Sequence, residues 1–82
     1  MPTVTLYTTP TCPDCQALKT WLDRQAVPYL ERDLTDPAVA DEAKARYGVR
    51  VAPITVIGDR FFSGTFPAQR PHIEAALRGL PA

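Results

Sequence analysis

The chain has 82 residues, nine Lys+Arg balanced by nine Asp+Glu, and only two cysteines. This length holds one small domain, residues 1–82, which buries only about 60% of the surface its unfolded form exposes. Zero formal net charge argues against the basic patch that nucleic acid or an anionic membrane needs. No apolar run approaches the ~20 residues of a membrane span, and no leader pattern opens the chain.

Nine prolines punctuate the sequence. Thr3 to Thr8 alternates β-branched, apolar and aromatic residues and predicts a strand. Thr9-Pro10-Thr11 breaks it. A helix is expected from Pro13 to Gln25, with Pro13 at its first position and Asp14 where the helix dipole favours an anion. Leu18, Trp21, Leu22 and Gln25/Ala26 supply its buried stripe, and Val27-Pro28 ends it. Tyr29 to Leu34 predicts an edge strand, because Glu31, Arg32 and Asp33 suit a solvated edge.

Thr35 or Asp36 caps a second helix that starts at Pro37 and stops near Tyr47. Gly48 follows in the position of a left-handed C-terminal cap. Ile54 to Ile57 is continuously apolar, as a central strand buried on both faces should be. Gly58-Asp59 turns the chain, and Arg60-Phe61-Phe62 returns as its hairpin partner. A last helix is expected to start between Pro67 and Pro71, with a kink at Pro71 or a start near Arg70, and to end near Gly79. Its stripe is Ile73, Ala76, Leu77 and Leu80. The order β-α-β-α-β-β-α predicts an α/β fold: a four-stranded mixed sheet with three flanking helices, a right-handed parallel crossover first and an antiparallel hairpin later.

Cys12-Pro13-Asp14-Cys15 stands between the first strand and the first helix. At a helix start, residues three apart come within disulfide reach. Cys12 falls at the cap, where unpaired N–H groups and the dipole stabilise a thiolate, whereas Cys15 is one turn inside and more covered. Cys12 is therefore the candidate attacking thiolate and Cys15 the resolving one. The Asp14 carboxylate disfavours the Cys12 thiolate and raises that thiol's pKa, and Lys19 offsets part of this from one turn on. A permanent staple across so short a loop constrains little of the unfolded chain. A half-site for zinc or an iron–sulfur cluster, shared between two chains through Cys12, is the competing reading. Ala52-Pro53, directly before the apolar strand, is a second feature. A cis proline there brings the Ala52 backbone toward the sulfur, where an extended substrate pairs with it.

Tyr7-Thr8-Thr9-Pro10-Thr11-Cys12-Pro13-Asp14-Cys15, then Val51-Ala52-Pro53 and Phe62-Ser63-Gly64, resembles the glutaredoxin family. Within that family the chain is most similar to the glutaredoxin-like electron donors of ribonucleotide reductase. The resemblance runs from Val4 to Leu77. It implies the thioredoxin fold, a cis Pro53, and a dithiol–disulfide oxidoreductase in which Cys12 attacks and Cys15 resolves. It also implies a substrate groove drawing on Tyr7, Pro13, Asp14, Ala52, Pro53, Ser63, Gly64 and Thr65. Many glutathione-using members carry a lysine where Thr9 stands here, and acidic residues after a Gly-Gly pair where Ser63-Gly64-Thr65-Phe66-Pro67 stands here. Ser-Gly followed by an aromatic and Pro is similar to the ribonucleotide-reductase donors, with Phe62 in place of Trp and Thr65 inserted before Phe66.

The expected function is reduction of protein disulfides, ribonucleotide reductase among them, with no bound cofactor. Reducing equivalents would come from NADPH through thioredoxin reductase, and glutathione is the alternative. A cytoplasmic monomer is expected, with no nucleic acid and no membrane partner. Tyr7 is a candidate for the site rim as much as for the core, and Trp21 is mainly a core residue. Phe61 and Phe62 alternate faces, so one belongs to the core and the other is a groove candidate. His72 is a solvated helix-start residue and Arg50 a candidate rim charge.

Overall fold

The computed structural model describes residues 3–79. Its elements are β1 (Val4–Thr8), α1 (Pro13–Arg24), β2 (Leu30–Asp33), α2 (Pro37–Tyr47), β3 (Ile54–Ile57), β4 (Arg60–Ser63) and α3 (Phe66–Leu77). The strands form one mixed sheet in the order β2-β1-β3-β4. β1 and β2 run parallel, with Leu6 opposite Glu31. β1–β3 and β3–β4 are antiparallel, with Tyr7 opposite Ile54 and Thr55 opposite Phe62. This is the α/β thioredoxin fold.

Strand alternation sorts the core into two clusters. Val4, Leu6 and Ile57 meet Leu18 and Leu22 of α1 and Ile73 and Ala76 of α3. Tyr7, Ile54 and Val56 meet Leu34 and, from α2, Val39 and Ala43. α1 and α3 therefore cover one sheet face and α2 the other. Each fully buried aliphatic side chain contributes about 1.5–3 kcal/mol. β3 is buried at all four positions and β2 exposed at all four, as apolar and charged sequences in central and edge places require.

Local chemistry sets most boundaries. The Asp36 carboxylate accepts the Ala38 N–H at 2.9 Å, which settles the α2 cap, while Asp33 holds Thr35. Gly48 closes α2 with φ +71°. Gly58 takes φ +63° at the first position of the two-residue β3–β4 turn. In a type II′ turn that position calls for glycine, which explains the Gly-Asp order.

The start of α3 differs from expectation. It begins at Phe66, not near Arg70, and Pro71 lies inside it. Thr65 is the cap, its hydroxyl accepting the Ala68 N–H at 3.3 Å. Pro71 deprives one carbonyl of the first turn of its partner, but capping and the packing of Ile73 and Ala76 outweigh that loss. His72 is consequently a mid-helix residue, exposed and stacked on Phe62 at 5.9 Å. Leu80, the last residue of the expected stripe, lies outside the described residues.

Candidate active site

The site starts at the β1–α1 junction. Pro13 occupies the first position of α1 and Cys12 is its cap, in an extended conformation. The Cys12 Sγ accepts the backbone N–H of Cys15 at 3.1 Å, one of the donors that a helix start leaves free. Cys12 and Cys15 are joined in a disulfide, with Cα atoms 5.2 Å apart, inside the usual span for that bond. Cys15 is fully buried (0% exposed), and Cys12 is half-buried. An incoming sulfur therefore reaches Cys12 and not Cys15. The donor that caps Sγ in the disulfide is equally placed to stabilise a Cys12 thiolate after reduction.

Asp14 sits in the same turn. Its Oδ1 accepts the backbone N–H of Phe66, the first residue of α3, at 3.3 Å. A side chain of the dithiol turn thus caps the helix packed beside it. Lys19 forms no such partnership. Its Nζ lies 2.8 Å from the Glu31 Oε2, which also accepts the Thr8 hydroxyl. Those two hydrogen bonds hold the Glu31 carboxyl below its ordinary pKa. Lys19, expected to offset part of the Asp14 charge, thus has the Glu31 carboxylate of β2 as its ion-pair partner.

The segment before β3 and the loop after β4 lie at the same end of the sheet, since Ile54 pairs with Tyr7 near the end of β1 and Asp14 reaches Phe66 just after the loop; they are the second candidate wall. The Ala52–Pro53 peptide is cis, as the resemblance implied. Pro53 is buried and Ala52 half-buried, with Ala52 ahead of the registered β3 ladder. Ser63, Gly64 and Thr65 are exposed. One side chain ties these segments together, and sequence reasoning did not find it. Gln69, 1% exposed, donates from Nε2 to the Pro53 carbonyl at 2.9 Å and to the Gly64 carbonyl at 2.8 Å. Its Oε1 accepts the Thr55 hydroxyl at 2.7 Å. A signal was present: positions 69, 73 and 76 share one helix face, so Gln69 puts an amide in line with the buried Ile73 and Ala76.

Tyr7, a candidate for the groove, lies in the core instead. It is only 2% exposed, packs under α2, and donates its hydroxyl to the Glu42 Oε2 at 2.7 Å. Burial, then the Glu42 hydrogen bond, pushes its pKa up to about 12. No surface of Tyr7 is left for a substrate, so it belongs to the core and not to the rim. Arg50 lies 3.5 Å from the exposed Asp41. Phe62 packs on the α1–α3 side, while Phe61 stays 42% exposed against Tyr47. Trp21 is half-buried on the same side as Phe62, tilted against Phe66 at 6.0 Å.

A sequence model of the glutaredoxin family, "Glutaredoxin", matches residues 4–62. The chain belongs to the glutaredoxin family. Among solved structures it is similar to the thioredoxin-like protein BC3987, at 27% identity and a TM-score of 0.75, over 85% of this chain and 97% of that one. It also shares the fold of glutaredoxin (grx-1) from Archaeoglobus fulgidus, at 21% identity and TM-score 0.71, over 89% and 87% of the two chains. Among curated proteins it is similar to the global transcriptional regulators Spx 1 of Bacillus cereus, at 43% identity over 42 residues, and Spx of Bacillus subtilis, at 40%. Those matches take in 50% of this chain and 32% of each regulator. The chain thus spans about a third of the length of these curated relatives. Family membership and the joined Cys12–Cys15 pair together mark this turn as the candidate thiol–disulfide site.

Among the described residues, no group of three or more His, Cys, Asp or Glu side chains gathers as a metal ion would use. No described helix is long and apolar enough to cross a membrane.

Proposed function

We propose that the chain is a dithiol–disulfide oxidoreductase that reduces disulfides of other proteins and is recycled by thioredoxin reductase. The observation that carries this reading is the asymmetry of the pair: Cys12 is accessible and capped by the Cys15 N–H, and Cys15 is buried. In the reduced protein the Cys12 thiolate attacks one sulfur of a substrate disulfide, and the other sulfur leaves as a thiolate and takes up a proton. Cys15 then gives up its proton and attacks the Cys12 sulfur of the mixed disulfide. The second substrate thiol is released and the Cys12–Cys15 disulfide forms, so two electrons pass to the substrate. NADPH, acting through the reductase, restores the dithiol.

The substrate segment lies along Ala52-Pro53 and the Ser63-Gly64-Thr65 loop, next to Pro13 and Asp14. Ribonucleotide reductase is the candidate substrate that the Ser-Gly-x-aromatic-Pro resemblance supports. The protein acts as a cytoplasmic monomer without a bound cofactor. Thioredoxin reductase is favoured over glutathione because Thr9 brings no cation and residues 63–67 bring no acid. Lys19, in the second turn of α1, is already held by Glu31. The Spx likeness covers too little of those regulators to carry a regulatory role here.

The test is NADPH consumption, with a protein disulfide as acceptor, driven either by thioredoxin reductase or by glutathione and its reductase. Turnover with thioredoxin reductase, and little with glutathione, is expected. Turnover only with glutathione refutes the reading and leaves a glutathione-dependent glutaredoxin. Colour or bound iron in protein purified without added reductant would instead revive the shared metal site.

A further inference from the structure

We propose that Asp14 sets the charge selectivity of the site, disfavouring anionic thiols against neutral and cationic ones. This deepens the proposed function, and it rests on that reading only in taking Cys12 as the sulfur that partners meet.

Asp14 is two residues from Cys12 in the same helical turn, and its Oδ1 sits 3.3 Å from the Phe66 N–H at the start of α3. A helix start attracts anions through its free N–H groups and its dipole. Here the attraction of α3 is spent internally, on a carboxylate of the dithiol turn. The remaining caps act in the same sense: the Thr65 hydroxyl takes Ala68 N–H, and Cys12 Sγ takes Cys15 N–H. Among the described residues Asp14 enters no ion pair, and Lys19 is engaged by Glu31. Asp14 is half-buried as a residue, so the field of its carboxylate is only partly screened. An approaching thiol with an extra negative charge meets repulsion that a neutral thiol does not.

The step concerned is the reduction of the Cys12–Cys15 disulfide. A thiolate attacks Cys12 Sγ, the Cys12–Cys15 bond breaks, and Cys15 leaves as a thiolate and is protonated. A second thiolate then attacks the sulfur that was added, releasing the small disulfide and the Cys12 thiolate. Two thiols are oxidised and one protein disulfide is reduced. The charge of the incoming thiol matters in the first attack, where its substituent passes Asp14.

Asp14→Asn is the informative variant, because the amide oxygen still accepts the Phe66 N–H and only the charge is lost. The reduction rate of the oxidised protein is measured for wild type and Asp14→Asn with cysteamine, 2-mercaptoethanol, 3-mercaptopropionate and glutathione. Each thiol's variant-to-wild-type ratio cancels its own nucleophilicity. Any general change in Cys12 reactivity scales all four ratios together. The ratio should rise from cysteamine through mercaptoethanol to mercaptopropionate, by about threefold per unit charge at low salt, as expected for charges several ångströms apart near water. Glutathione, a net anion, should group with mercaptopropionate. High salt should flatten the series. Equal ratios for all four thiols at low salt overturn the proposal. Because no reductase enters this assay, failure with thioredoxin reductase would refute the proposed function and leave the charge series standing.

Discussion

The two walls of the site are built in different ways. The sulfur wall is local: Cys12, Pro13, Asp14 and Cys15 fall within four residues, and the Cys12 cap bond spans three. The second candidate wall is assembled from distance, with Gln69 holding Pro53 across 16 residues and Thr55 across 14. Chemistry set by helix-start geometry tolerates a changing remainder of the chain, whereas a wall held by one amide fails as a unit. Asp14 joins the two, reaching 52 residues along the chain to Phe66.

The largest effect is expected on the sulfur wall. Cys12→Ser removes the one sulfur a partner can reach, so protein-disulfide reduction should fall to background while the melting temperature of the reduced protein barely changes. Residual turnover above background would mean that Cys15, despite its burial, can be attacked.

On the second candidate wall, Gln69→Leu keeps similar bulk but leaves the Pro53 and Gly64 carbonyls and the Thr55 hydroxyl without their partner. Unsatisfied buried polar groups of this kind cost on the order of 3 kcal/mol together. Urea unfolding should show that loss, and at a temperature where the variant is folded the substrate KM should rise more than kcat falls. An unchanged unfolding midpoint would show that the wall does not depend on this amide.

The difference between the walls also explains what the sequence discloses. The helix start, Cys spacing, edge charges on β2 and apolar β3 are local or periodic signals, and they place the sheet and the sulfurs. Gln69 was hidden because an amide in a helix reads as solvent-facing until its phase with Ile73 and Ala76 is noticed. Tyr7 was ambiguous because one aromatic residue suits a rim or a core, and only its pairing with Glu42 of α2 decides. The start of α3 was misplaced because Pro71 is costly in a helix interior, a cost that the Thr65 cap and tertiary packing overcome.

Tyr7 offers a smaller test of the same contrast, since its side chain is buried in the core under α2. Tyr7→Phe should destabilise the protein by about 1 kcal/mol, the usual net worth of one hydrogen bond, and leave the KM for a protein disulfide unaltered. A raised KM would return Tyr7 to the rim. Its pKa of about 12 lies above the ordinary 10.0, so the folded state favours the protonated phenol. That contribution is complete below about pH 10 and disappears as pH rises toward 12.

Carboxylates give the opposite slope. Glu31 is held below its ordinary pKa by Lys19 and then Thr8, Asp33 by Thr35, and Glu42 chiefly by Tyr7. Each contributes fully above its ordinary value and loses the contribution as pH falls through its depressed folded value. Melting temperature should therefore be lower at about pH 3 than at about pH 6, and a flat profile would contradict these pairings. The subtlest effect is again at Asp14. Asp14→Asn should let the Cys12 thiol of the reduced protein ionise at lower pH, seen as thiolate absorbance, and no change or a rise would contradict it.

The most direct measurement is trapping. Cys15→Ser, reduced and mixed with a protein disulfide, should accumulate a stable mixed disulfide mapped by mass spectrometry to Cys12, because attack proceeds and resolution cannot. Absence of any adduct, or an equal adduct on Cys15 in Cys12→Ser, would contradict the assignment of Cys12 as the attacking sulfur and Cys15 as the resolving one.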